Sequence, residues 1–112
     1  MKSNSVFLSH ILAEATFLIE RTRTLGFAEF AADDTITRAC TRSVEIIGEA
    51  VKNLSPEFRK AHGYVEWQRI AGMRDRLIHG YFDVDEAILW DVIQHRVPEL
   101  KEQVEALLKS EH

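Results

Sequence analysis

Residues 34–54 read DTITRACTRSVEIIGEAVKNL and form the most regular amphipathic stretch of the chain. Apolar and small residues recur there at alternating intervals of four and three, the spacing of one face of an α-helix: Ile36, Cys40, Ser43, Ile47, Ala50 and Leu54. Asp33, Asp34 and Thr35 are all competent N-cap residues for this helix. Gly48 costs the helix about 1 kcal/mol relative to alanine, which suggests that another helix approaches closely at this position.

The segments before this stretch predict one more long helix and a connection. Apolar residues at intervals of three and four indicate a helix from about Ser5 to Leu25. Residues 27–34 are then expected to connect the two helices. Phe27 and Phe30 are expected to cover the end of the bundle, because two exposed phenylalanines would form an unfavourable apolar patch on the surface.

On the C-terminal side, the sequence predicts a short helix and a last long one. Ser55, followed by a proline, is a strong signal for the start of a short helix. Asp83 or Asp85 is expected to cap the last helix, which carries one apolar stripe: Leu89, Ile93, Val97, Leu100, Val104 and Leu107. Pro98 removes a backbone hydrogen bond, so a kink or a break is expected near residues 94–97.

A further long helix is predicted from Val65 to His79, with Gly80 ending it. At 100° per residue, Arg74 falls at the centre of the apolar stripe of this helix. A guanidinium on the core-facing side is costly unless it is paired, because it cannot lose its charge. Glu45 or Glu49 of the preceding long helix is the expected partner.

Length and composition bound the fold class. The 112 residues suffice for one domain, spanning 1–112, and 46% hydrophobic residues with only five glycines and two prolines indicate an ordered helical protein. The predicted architecture is all-α: an up-and-down bundle of four long helices and one short helix. A single cysteine fits a reducing cytosol, and neither a secretory signal nor a membrane span is expected, so a cytoplasmic location is predicted.

The charge balance does not indicate general attraction for nucleic acid. The net charge is -4, so RNA or DNA binding would need a local basic patch. Arg69, Arg74 and Arg76 are expected to form such a patch, with possible additions from the helix that begins near Asp33: Arg38, Arg42 and Lys52.

Residues 74–81, RDRLIHGY, combine three side chains with useful chemistry. Arginine binds phosphate as a planar fork, histidine titrates near neutral pH, and tyrosine offers a hydroxyl group. In an unbroken helix Arg74 and His79 would lie about 140° apart, so they would share a site only if the last turn unwinds at Gly80 or a second chain contributes. A purely structural interpretation also stands: an ion pair for Arg74, and a C-terminal helix cation for His79.

The pattern Arg-x4-His-x-Tyr, formed by Arg74, His79 and Tyr81, resembles the signature of the HEPN superfamily, most closely of its HepT-like toxins. Residues 44–50, VEIIGEA, and residues 67–75, WQRIAGMRD, are also similar to segments of that family. The resemblance extends from about Phe27 to Leu108, where the C-terminal helix carries Pro98-Glu99-Leu100.

This resemblance implies a homodimeric, metal-independent endoribonuclease of a type II/VII-like toxin–antitoxin pair, with an RNA substrate and no cofactor. Two motif-bearing helix ends would line one cleft. Arg74 would hold the scissile phosphate, and His79 would transfer protons while the RNA 2′-hydroxyl attacks. A supporting, RNA-binding set is assigned around them: Arg69, Asp75, Arg76, Glu45 and Glu49.

The resemblance also implies a cognate minimal nucleotidyltransferase (MNT) antitoxin that transfers AMP to the hydroxyl of Tyr81. The adenylate would add bulk and negative charge at the mouth of a phosphate-binding cleft, repelling RNA. A second interpretation is a non-catalytic HEPN partner domain that presents substrate to a separate nucleotidyltransferase chain. The complete Arg-x4-His-x-Tyr pattern favours the enzyme, since a partner domain need not keep both Arg74 and His79.

Other site chemistry is not expected. The five histidines show no i,i+3 or i,i+4 pairs and there is no Cys-x-x-Cys, so no metal site is predicted. Cys40 is interpreted as a small core residue, and Trp67 and Trp90 as core or interface aromatics. No glycine-rich phosphate loop is present, which argues against ATP hydrolysis by this chain.

Overall fold

A computed structural model describes residues 3–79 and 83–111 of the chain. Its α-helices are α1 (Asn4–Thr22), α2 (Phe27–Ala32), α3 (Asp34–Asn53), α4 (Pro56–Ala61), α5 (Trp67–Ala71), α6 (Met73–Leu77), α7 (Glu86–Asp91) and α8 (Val97–Glu111). Two short strands, β1 (Ile78–His79) and β2 (Asp83–Val84), pair antiparallel between α6 and α7. The prediction of an all-α helical bundle is confirmed.

The central helix α3 begins where the sequence predicts. The carboxylate of Asp33 accepts a hydrogen bond from the amide of Ile36 at 3.1 Å and caps the helix. Most of the predicted stripe is buried: Cys40, Ser43, Ile47, Ala50 and Leu54. Helix α3 packs against α1 and against α5 and α6, so it supports the two helices that carry Arg69, Arg74, Asp75 and Arg76.

The last helices bury one continuous stripe, as predicted. Asp85 caps α7 by accepting a hydrogen bond from the amide of Ile88 at 3.0 Å. The six stripe residues are all in the core: Leu89, Ile93, Val97, Leu100, Val104 and Leu107. Helix α8 packs along α1, which ends at Thr22, a few residues earlier than expected.

A π-helical turn, Val92–Arg96, joins α7 to α8. The amide of Val97 donates to the carbonyl of Val92, five residues earlier, instead of four as in an α-helix. Pro98, which lacks an amide hydrogen, follows directly and so falls in the first turn of α8. The expected irregularity near residues 94–97 is therefore confirmed, as a widened turn within a continuing helical path.

The connection predicted for residues 27–34 is itself largely helical. Helix α2 starts after Gly26, whose amide donates to the Glu29 carboxylate at 3.0 Å and so satisfies one free donor of the first turn. Phe30 is fully buried, while Phe27 stays 43% exposed. The expectation that both phenylalanines cover the bundle end thus holds for Phe30 and only partly for Phe27.

The predicted helix from Val65 to His79 is wrong in its continuity and in its end. Gly72 separates α5 from α6, with a φ of -92° and a ψ of 0°, and α6 ends at Leu77. Because α6 starts anew at Met73, its buried residues are Met73 and Leu77, one turn apart. Arg74 therefore does not lie on the core-facing stripe, and its side chain is 49% exposed.

The close approach predicted at Gly48 is confirmed. A Cβ atom at this position would lie 3.1 Å from the carbonyl oxygen of Ala71 at the end of α5. The neighbouring atom belongs to the backbone, so it cannot move aside as the tip of a side chain would. Gly48 thus allows α5 to lie directly on α3.

Across the described ranges, no helix combines the length and the apolar character that spanning a bilayer requires.

Substitution of Gly48 by leucine is expected to lower the free energy of unfolding by about 1 to 3 kcal/mol, because the new side chain must push α5 away from α3. Urea denaturation followed by circular dichroism measures the change. Arg42→Leu, on the exposed side of α3, is the matched control and should alter stability by less than about 0.5 kcal/mol. Equal stability of the two variants would contradict the close contact.

Candidate functional site

Helix α6 presents Arg74 to solvent beside α3. Because Met73 and Leu77 are buried, the three residues between them point away from the core. The guanidinium of Arg74 contacts Glu45 of α3, with Nε 3.0 Å from Oε2, and its Nη1 lies 3.5 Å from Oδ1 of Asp75. The predicted pairing with Glu45 or Glu49 is confirmed for Glu45.

The contact with Glu45 fixes both the charge and the orientation of Arg74. The hydrogen bond that Arg74 donates to Glu45 is the main cause that raises the pKa of Arg74, so the guanidinium stays charged. The bond uses Nε, Nη1 lies near Asp75, and the side chain as a whole is 49% exposed. The donors outside these two contacts can bind a phosphate.

The depression around Arg74 has a volume of about 300 Å³ and a mixed charge. It is lined by Gly48 and Ala71, by two cations, and by three carboxylates: Arg74, Lys52, Glu45, Glu49 and Asp75. Lys52 lies 3.5 Å from Glu49, so Glu49 contacts the lysine of its own helix. A phosphate entering this depression meets more negative than positive charge from a single chain, which favours a site completed by additional cations.

The backbone leaves the helix between Arg74 and His79. Ile78 has an extended conformation, and the pair β1–β2 aligns His79 with Asp83. The amide of Asp85 donates to the carbonyl of Leu77 at 2.7 Å and closes the base of this hairpin. The helical turn therefore unwinds two residues before Gly80, and the 140° separation expected for an unbroken helix does not apply. Gly80 and Tyr81, to which a helix stop and the AMP acceptor are assigned, lie outside the described residues.

The three arginines expected to form one patch lie on two sides of α5 and α6. Arg74 lines the depression beside α3, whereas Arg69 and Arg76 line a cleft against the π-helical turn and α8. Arg96 lines the same cleft. Arg96 could not be assigned from the sequence, because the direction of its side chain depends on the π-helical turn.

Cys40 and Trp67 belong to the core, and Trp90 is partly buried against it. Burial raises the pKa of the Cys40 thiol from its usual 9.0 to about 11, although the charge of Arg21 lowers it slightly. The thiol is thus protonated at neutral pH, which confirms Cys40 as a core residue. Trp67 is buried and its indole donates to the carbonyl of His62 at 3.1 Å, while Trp90 packs at 5.0 Å between ring centroids against Phe30.

No cluster of three or more His, Cys, Asp or Glu side chains with metal-binding geometry occurs in the part of the chain that the structure describes. The carboxylates around Arg74 contact cations of the protein.

Comparison with known proteins identifies the class. A family model described as "Ribonuclease HepT-like" matches residues 11–107, which cover both the bundle and the segment with Arg74 and His79. The chain belongs to the HepT-like family of the HEPN superfamily.

Relatives from bacteria and archaea support this assignment over nearly the whole chain. A protein of Caldanaerobacter subterraneus subsp. tengcongensis named "Putative RNase" is 52% identical over 111 residues, covering 99% of both chains. "Probable ribonuclease HepT" of Thermococcus cleftensis is 42% identical, covering 96% of this chain and 98% of the relative. A "Putative RNase" of Methanocaldococcus jannaschii is 38% identical, covering 96% and 89%. No solved structure matches significantly.

Arg74→Gln and Glu45→Gln are each expected to lower the midpoint of urea unfolding by less than about 0.5 M, because a half-exposed ion pair contributes little to stability. Urea denaturation of both variants checks this, with Arg38→Gln as control, since Arg38 pairs with Asp34 at 3.4 Å on an open surface. A fall in the midpoint of more than about 1.5 M would mean that the pair behaves as a buried one.

Proposed function

We propose that this protein is a metal-independent endoribonuclease that acts as the toxin of a toxin–antitoxin pair. The observation that carries the proposal is the exposed guanidinium of Arg74, which Glu45 holds at 3.0 Å in a chain of the HepT-like ribonuclease family. A fixed, permanently charged fork at the surface suits a phosphodiester. His79 follows within five residues and supplies a group that titrates near neutral pH.

The proposed reaction needs only side chains of the protein and the RNA itself. The 2′-hydroxyl of the substrate loses its proton and attacks the adjacent phosphorus. The bond from phosphorus to the 5′-oxygen of the next nucleotide breaks, and that oxygen takes up a proton. His79 transfers the protons, and Arg74 stabilises the charge that develops on the phosphate oxygens.

Glu45 acts in this proposal as a positioning residue. It does not contact the substrate but keeps the Nη end of Arg74 directed away from α3. Asp75 contacts Nη1 of the same guanidinium at 3.5 Å and limits its rotation from the other side. Glu49 balances Lys52 at the edge of the depression.

The active form is proposed to be a homodimer with a composite cleft. One chain offers Arg74 among three carboxylates, which gives a poor field for an anion. A second copy would bring another Arg74 and another His79 to the same phosphate, so that two guanidinium groups could contact it from opposite sides. The isologous contact of a two-fold dimer places identical motifs face to face.

The cognate antitoxin is proposed to be a minimal nucleotidyltransferase that transfers AMP to Tyr81. Tyr81 is two residues from His79, so an adenylate there would carry its negative phosphate to the entrance of the cleft. Repulsion between this phosphate and the RNA backbone would block binding without unfolding the bundle.

Removal of either motif side chain is expected to abolish most RNA cleavage. His79→Ala should lower kcat by about 10²- to 10⁴-fold, the usual contribution of general acid–base catalysis, and Arg74→Gln should cause a loss of similar size. Cleavage of a labelled single-stranded RNA, with EDTA present, measures both the effect and the independence from metal. Arg23→Gln removes one exposed arginine at the end of α1, where it contacts Glu20 at 3.3 Å, and should cleave like the unmodified protein.

The composite cleft has its own readout in the same assay. Arg74→Gln and His79→Ala proteins, each inactive alone, should regain part of the activity when they are mixed and allowed to exchange subunits. Cleavage by His79→Ala at the rate of the unmodified protein would contradict the proposed mechanism. If mixing restores no activity and light scattering shows only monomers, the proposed homodimer is contradicted.

Tyr81→Phe is expected to prevent inactivation by the antitoxin while leaving cleavage intact, because only the acceptor hydroxyl is removed. Mass spectrometry after incubation with ATP and the neighbouring nucleotidyltransferase should find AMP on the unmodified protein and none on Tyr81→Phe. An adduct on both proteins would place the acceptor elsewhere.

A second candidate is a non-catalytic partner domain that presents substrate to a separate nucleotidyltransferase chain. The excess of carboxylates around Arg74 favours this candidate over a free-standing nuclease. Nucleotide transfer by that partner to a third molecule, only in the presence of this chain and with no RNA cleavage, would support it.

A further inference from the structure

Three neighbouring depressions share lining residues along α5 and α6, and Arg74 lines none of them. The first, of about 570 Å³, shares Glu66 and Arg69 with a narrow cleft of about 30 Å³. The cleft in turn shares Arg76 and Arg96 with a third depression of about 310 Å³. We use the name arginine groove for the surface that these shared residues define: Glu66, Arg69, Arg76 and Arg96.

The guanidinium groups in the arginine groove are held loosely. Arg69 and Arg96 share one oxygen of Glu66, at 3.5 Å and 3.3 Å, and all three side chains are about half exposed. Among the side chains of residues 3–78 and 83–110, no carboxylate lies within 4.0 Å of the guanidinium of Arg76. One carboxylate oxygen cannot saturate two guanidinium forks, so most donors of these arginines remain available to another anion.

The residue between two that line the first depression carries an exposed aromatic side chain. Tyr64 is 64% exposed, and its chain neighbours Gly63 and Val65 line the first depression. The loop that carries it is fixed, because the indole of Trp67 donates to the carbonyl of His62 at 3.1 Å. The ring of His62 supports Tyr64 edge-on at 6.1 Å between centroids.

We propose that single-stranded RNA lies along the arginine groove, with a base stacked on Tyr64 and backbone phosphates on Arg69, Arg96 and Arg76. This proposal rests on the proposed ribonuclease function and assigns a surface that retains the substrate on the other side of α5 and α6 from Arg74. An aromatic ring followed by a row of cations is the combination that binds single strands without sequence preference.

The charges that line the groove favour an anionic strand and determine how far along the groove it extends. The first two depressions carry three arginines against two glutamates, Glu66 and Glu99, in a chain whose net charge is -4. The third depression adds Asp85 and Asp91, whose carboxylates cap α7 and contact His95. The strand therefore runs from Tyr64 to Arg76 and does not continue toward α7.

Binding of a single-stranded RNA that cannot be cleaved tests the groove separately from catalysis. A fluorescent oligonucleotide with 2′-O-methyl groups lacks the attacking hydroxyl, and anisotropy gives its Kd at several salt concentrations. Arg76→Gln/Arg96→Gln should weaken binding roughly tenfold and reduce the slope of log K against log salt by about 0.7 for each phosphate that the variant no longer neutralises. Tyr64→Ala should weaken binding roughly fivefold to a hundredfold with the slope unchanged.

Two single variants complete the set. Glu66→Gln removes the carboxylate that Arg69 and Arg96 share and should tighten binding. Arg23→Gln is the matched control, because Arg23 also contacts one carboxylate, that of Glu20, at 3.3 Å, but lies at the end of α1. It should bind like the unmodified protein.

Each outcome decides between the alternatives. Kd values of the groove variants equal to that of Arg23→Gln would overturn the proposal. A fall in Tm with an unchanged Kd would also overturn it, because the arginines would then serve only to hold the helices together. If the protein binds RNA through the groove but cleaves none, the groove proposal is supported and the ribonuclease function is contradicted. If the groove variants cleave RNA with an unchanged KM, the ribonuclease function is supported and the groove proposal is contradicted.

Discussion

The contact between the backbones of α3 and α5 is the constraint on which the rest of the structure depends. A Cβ atom at Gly48 would lie 3.1 Å from the carbonyl oxygen of Ala71, which is tighter than most contacts of real Cβ atoms. Glu45 lies one turn before Gly48 on α3, and Arg74 lies three residues after Ala71. The close approach at Gly48 therefore brings together the segments that carry Glu45 and Arg74, whose side chains meet at 3.0 Å.

The same constraint places α5 and α6 between two surfaces that differ in their charged residues. One surface holds Arg74 in a depression rich in carboxylates, and the other carries Arg69, Arg76 and Arg96 in the arginine groove. A carboxylate that pairs with a guanidinium fixes its orientation but weakens its attraction for anions. Arginines that are only weakly paired attract anions more strongly, although their orientation is less fixed. In the proposed function, the surface around Arg74 would align a phosphate and the arginine groove would retain the RNA strand.

Much of the fold follows from local sequence signals, and the exceptions have identifiable causes. The caps at Asp33, Ser55 and Asp85 and the long apolar stripes depend on neighbouring residues only, so they could be predicted. The position of Arg74 could not, since Gly72 restarts the helix and shifts its phase. Arg96 was missed for a related reason: a helical wheel assumes four-residue hydrogen bonds, and the π-helical turn uses five.

The hydrogen bond from the amide of Asp85 to the carbonyl of Leu77 joins the last residue of α6 to the residue that caps α7. The carboxylate of the same Asp85 accepts a hydrogen bond from the amide of Ile88 in the first turn of α7. One aspartate therefore holds the end of one helix and the start of the next. Arg74 lies one turn before Leu77 on α6. A displacement of α7 is thus transmitted through Asp85 to the helix that carries Arg74.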